Sequence, residues 1–159
     1  MKKIEVKSLA EYFGAKLPAS KIKDRNTRIE IVTLYTSLAA ANKKISEEQE
    51  ELRKGLVGDK EEDIRKYSEL LQKANDEKLD EKERAKAKKE AEGMTECLRI
   101  EKDFSEGINK LFNEDYEGSV RTISLEVLYE ALSDCNFAGF NGDLPIAAVE
   151  ELFKNVITK

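Results

Sequence analysis

Histidine and tryptophan are both absent from this chain of 159 residues, and cysteine and proline occur twice each. Without histidine, the commonest general base near neutral pH and the commonest transition-metal ligand are missing. The two cysteines, Cys97 and Cys135, lie far apart and form no CxxC pair, so a zinc site is not expected. Two lone thiols in a chain with no recognisable secretory signal point to a reducing compartment, and the expected location is the cytoplasm. The start, MKKIEVKSLAEYF, has the basic residues of a signal peptide, but Glu5, Lys7 and Glu11 interrupt what would be its apolar segment. No apolar run reaches the length of about 18 residues that crosses a bilayer. The phosphate-binding patterns GxGxxG and GxxxxGK[ST] are lacking, as is the GxSxG nucleophile elbow. These absences argue against an enzyme, and no cofactor, metal, membrane or small-molecule substrate is expected.

Glycine is also scarce, at 8 residues, while 38% of the chain is charged. An average globular protein carries roughly 25% charged residues, so the bias favours long solvated helices over sheets and loops. The length suits a single domain, 1–159. Charge is uneven along it: residues 1–28 hold eight Lys/Arg against three Asp/Glu, and residues 114–159 hold three against nine.

The expected fold is mainly α. Near the start, residues 3–7 alternate apolar and polar as a half-buried strand does, and Ser8 is placed to cap a following helix through Leu9, Tyr12 and Phe13. A similar pattern recurs at 118–132, where Ser124 precedes Leu125, Leu128, Tyr129 and Leu132. Two strand-to-helix units at opposite ends suggest a small helical head, residues 1–23 and 114–159, that includes a two-stranded β pairing of the chain ends.

Between them, residues 24–113 read as a stalk. The strongest periodicity begins near residue 27, with Asp24, Asn26 or Thr27 as cap: Ile31, Leu34, Leu38, Ala41, Ile45 and Leu52 fall at alternating steps of three and four, apart from Glu48 at one seam position. Gly55 and Gly58 predict a break. A shorter helix over 59–74 follows, then a long one over 80–112 opened by an Asp80–Glu83 capping box. The first part of that helix, EKERAKAKKEAE, offers only alanine as apolar content and is expected to project into solvent or to await a partner. Two rods of matched length, 27–57 and 80–112, make a long antiparallel, coiled-coil-like hairpin.

The most chemically suggestive stretch is DCNFAGFNGDLP, residues 134–145. Read as a calcium loop it supplies Asp134, Asn136 and Gly139, but it places Ala138 at the fifth position and Pro145 where a bidentate glutamate belongs. The simpler reading is a turn at Asn141-Gly142, a cap at Asp143 and proline in the first turn of a last helix that buries Ile146, Val149, Leu152, Phe153 and Val156. Phe137 and Phe140 either tuck beneath the helix pair or form an exposed apolar knob that marks a contact surface.

The expected function is therefore non-enzymatic: a protein–protein interaction or assembly factor, oligomeric or docked to a partner, acting through its hairpin and head. Candidate partner contacts are Ile31, Leu38, Ile45 and Leu52 on the first rod, Glu101, Phe104 and Ile108 on the second, and Phe137 and Phe140; most of the apolar ones serve equally well as the hairpin's own core. Glu101 falls near an apolar face between Leu98 and Phe104, where a lysine of the facing helix is the expected partner. The alternative is a nucleic-acid-associated accessory protein whose Lys16, Lys21, Lys23, Arg25 and Arg28 contact phosphates, although the acidic whole and the lack of interleaved aromatics weigh against it.

Overall fold

The computed structural model describes residues 1–135 and 146–158, the side chains of 146–148 excepted. The fold is mainly helical. In chain order it contains α1 (Lys3–Lys16), a 3-10 turn (Ala19–Lys21), α2 (Arg25–Val57), α3 (Glu61–Asn75), α4 (Glu81–Gly93), α5 (Thr95–Asn113), α6 (Leu125–Asp134) and α7 (Ile146–Phe153). The chain forms two compact units, one of residues 1–47 and 112–159 and the other of residues 48–111.

In the first unit, the alternating segment at 3–7 is helical rather than extended. Glu5 reaches back to accept the Lys2 backbone N–H at 2.6 Å, which satisfies a free amide of the first turn. Val6, Leu9, Ala10 and Phe13 then share one buried face, a 3.6-residue period that overrides the short alternation. No strand forms among the described residues, so the expected β pairing of the ends is replaced by two isolated bridges. Lys2 pairs antiparallel with Asp115, and Ile123 pairs parallel with Ile157. Both chain ends nevertheless enter one core, where Val6, Phe13, Ile22, Leu34, Leu38, Leu128, Leu132 and Val156 pack together.

Local signals account for most helix starts. Asp24 caps α2 by accepting the Thr27 amide at 2.7 Å, and Ser124 caps α6 by accepting the Val127 amide at 3.2 Å. Thr27 is not a cap: it is buried and donates its hydroxyl to Glu130 at 2.6 Å. In α7, Val149 and Phe153 are buried as expected, but Leu152 is 62% exposed.

The second unit begins with the end of α2. Gly55 stays helical, and the break falls at Gly58, whose φ of 56° is strained for any residue with a side chain. The segment that opens at Lys60 and runs into α3 lies antiparallel to the one that runs from α4 into α5, since Lys60 pairs with Glu96 of α5 while Lys66 of α3, six residues on, pairs with Glu90 of α4 at 3.3 Å. The alanine-only segment does not project into solvent: Ala87 and Ala91 are buried in one cluster with Tyr67 and Leu70. Asp80 caps α4 by accepting the Glu83 amide at 2.8 Å. The expected continuous helix 80–112 is two helices, ended and restarted at Met94, which follows Gly93 and leaves helical geometry with ψ of 62°.

Candidate functional site

The longest uncharged run of the chain is residues 31–42, IVTLYTSLAAAN, and it lies within α2. At 100° per residue, Ile31, Leu34, Leu38, Ala41 and Ile45 share one face, and all are buried in the first unit's core. A helix with charges only on its outer face needs nothing more than this core. Here the outer face lacks them as well: Ile29, Val32, Thr36 and Ala40 form an exposed stripe along residues 29–40, with Ile29 51% and Val32 44% exposed.

The flanks of the stripe are defined by neighbouring elements. On one side the Tyr35 ring lies against Gly14 of α1, where a Cβ would sit 3.1 Å from the ring edge. On the other, the Arg121 backbone N–H donates to Ser37 Oγ at 2.9 Å and its guanidinium pairs with Glu30 at 3.2 Å. Between these flanks the face stays open. Thr33 and Thr36 donate their hydroxyls to the carbonyls of Ile29 and Val32, at 2.7 and 2.8 Å. Covering the stripe would therefore leave no threonine donor stranded. Charge returns only at its ends, with Arg25 before it and Lys43 and Glu47 after it.

A second apolar depression, about 520 Å³, lies between α1 and the end of α7, lined by Ile4, Leu9, Tyr12, Leu152 and Phe153. Burial, with Cys135 adding, pushes the Tyr12 hydroxyl up to about 12. In the second unit a narrower cleft of about 180 Å³ runs between Val57, Ile64, Leu71 and Phe104. There Tyr67 donates to Glu101 at 3.1 Å, and burial raises the tyrosine hydroxyl above its ordinary range. Both cysteines are free and buried, and burial raises both thiols. Among the described residues no cluster of three acidic or thiol side chains is arranged to hold a metal, and no helix is long and apolar enough to cross a membrane.

The residues expected to meet a partner fall in different places. Ile31, Leu38 and Ile45 are enclosed in the core and present nothing to another chain. Leu52, Phe104 and Ile108 are half-buried in the second unit, and exposed Glu101 takes its hydrogen bond from Tyr67 rather than from a lysine. Phe137 and Phe140, and with them the calcium-loop reading, lie outside the described residues. Of the five candidate phosphate contacts, all exposed, two are engaged within the unit: Lys23 pairs with Asp134 at 3.0 Å, and Arg28 donates to the Ile22 carbonyl. Lys16, Lys21 and Arg25 are exposed on the first unit. Seam periodicity marks only the buried side of a helix, so the sequence sign of the stripe at Ile29, Val32 and Thr36 is the uncharged run 31–42 that contains most of it.

No family model matches the chain, and no curated protein or solved structure shows significant similarity to it.

Proposed function

We propose that the protein is a non-enzymatic, cytoplasmic interaction or assembly factor. It combines a compact head with a helical hairpin in which the end of α2 pairs with α5. In support of that pairing, Leu52 lies over Gly107 so closely that a Cβ there would come within 2.9 Å of Leu52 Cδ2. The free, buried thiols suit a reducing compartment. The observation that carries the functional reading is the uncovered outer face of α2, where Ile29 and Val32 stand exposed on a stripe that carries no charge between Arg25 and Lys43, in a chain that is 38% charged. Exposed apolar surface flanked by charge is what a contact site requires, because covering it releases water without desolvating ions.

The test is a photo-crosslinking amino acid placed at position 32, with exposed Lys89 of α4 as the comparison position. Discrete covalent adducts from position 32 and none from position 89 are expected in host cells. Adducts from neither position, or equally from both, would remove the reading.

A further inference from the structure

The outer face of α2 also indicates what covers it. We infer that its occupant is a second copy of this chain, packed antiparallel about a two-fold axis at Thr36; the inference rests on the interaction reading and names the partner. Arg25 and Glu47 each lie eleven residues from Thr36. Eleven residues make three helical turns to within about 20°, so both charges share the stripe's face, about 16 Å to either side of its centre. In an antiparallel pair, Arg25 of each copy meets Glu47 of the other. A parallel pair would stack Arg25 on Arg25 and Glu47 on Glu47.

The register also suits the side chains between these charges. Val32 faces Ala40, a large residue against a small one, and Thr36 faces its own copy with its hydroxyl already donated to Val32. Ile29 faces Lys43, whose aliphatic stem can cover it while the ammonium stays in water. Glu47 lies 3.8 Å from Lys43 of its own helix, and its exposed carboxylate has room for Arg25 of the other copy as well, so charge order along the face favours the antiparallel direction of packing.

The stripe is narrow. Four side chains along one helix fall well short of the roughly 800 Å² per partner of a stable interface, so the dimer forms and dissociates with concentration.

Sedimentation of the full chain over a concentration series tests this. The apparent mass should climb from 18.1 kDa toward twice that value as protein rises from about 1 µM into the hundreds of micromolar, the range of weak interfaces. Thr36→Glu should hold the chain monomeric throughout while its helical circular dichroism and melting transition persist. Arg25→Glu and Glu47→Arg should each weaken association about tenfold, and the double exchange should restore it. Because the two positions lie about 33 Å apart on one helix, that rescue has no intramolecular source.

A chain that stays monomeric at every concentration overturns the inference, as does dimerisation indifferent to Thr36→Glu or single changes that the double exchange does not rescue. If the wild type is monomeric while position 32 crosslinks to a different protein, self-association fails and the interaction reading stands. If position 32 crosslinks to nothing, both fail.

Discussion

The first unit is held by leucine, isoleucine, valine and phenylalanine drawn from four helices and both chain ends; the second by alanines, a tyrosine and ion pairs between helices. The largest fully enclosed side chains, among them Ile22, Leu34, Leu38, Leu128 and Leu132, all belong to the first unit. In the second, the α3–α4 pair closes over Ala87 and Ala91 with Lys66–Glu90 at its edge, while Lys60–Glu96 and Arg53–Glu61 tie the start of α3 to α5 and to the end of α2. Small side chains let the helices approach but remove little apolar area from water, and exposed ion pairs add only about 0.2–1 kcal/mol each. The first unit should accordingly be the more stable body, and the second the one that opens locally.

Truncation of the core should have the largest effect. Leu38→Ala empties a fully enclosed site and is expected to cost about 3–5 kcal/mol, against about 2 kcal/mol for Leu70→Ala at the edge of the second unit's cluster. Denaturant unfolding measures both, and equal losses would erase the distinction. Tyr67→Phe removes the hydrogen bond to Glu101 and should destabilise the second unit by about 0.5–1.5 kcal/mol, seen as faster amide exchange in α3 and α5 with the first unit unchanged. Faster exchange in α6 instead would mean that the units do not open separately.

Acid should act on both units through different carboxylates. The Lys23 amide holds Asp134 below the ordinary carboxylate range in the first unit, and the Lys60 ammonium does the same for Glu96 in the second. A lowered folded-state pKa contributes stability that is fully present above the unfolded value, near 4 for both residue types, and is lost as pH falls through the folded value. Asp134→Asn should therefore make the acid limb of the first unit's stability shallower below about pH 4. A limb unchanged in slope would remove Asp134 from that account.

The smallest effect expected is kinetic. Cys97 lies in the second unit's core and Cys135 in the first's, so the chain carries one thiol probe of opening in each. Under native conditions Cys97 should react with a thiol reagent before Cys135, and added salt should quicken Cys97 more by screening the ion pairs. Labelling in the reverse order would invert the ranking of the units.

Where a signal was local and unopposed, the chain was readable. Ser124 and Asp80 cap α6 and α4 as their spacing required, the apolar period from Ile31 to Ile45 is buried as a stripe, and the helix ends beside Gly58. Where two periods overlapped, tertiary packing decided. Ile4 and Val6 alternate over too few residues to outweigh Val6, Leu9, Ala10 and Phe13, and the helix wins because its face meets the core. The interruption at Met94 had only Gly93 as its sign, and single glycines are tolerated inside helices, as Gly55 and Gly107 are. Cover for Ala87 and Ala91 comes from Tyr67 and Leu70, a pairing that the periodicity of either segment alone could not reveal. The candidate site was legible in composition rather than in period, as twelve uncharged residues between Glu30 and Lys43.

Methyl resonances offer the most direct check on the α2 face, because Ile29 and Val32 point out of the same helix that turns Ile31, Leu34 and Leu38 inward. In a chain labelled at its isoleucine, leucine and valine methyls and titrated in concentration, Ile29 and Val32 should shift progressively while Ile31 and Leu38 hold still. Shifts confined to Leu98 and Ile108, or no shift of Ile29 and Val32 at any concentration, would contradict the account.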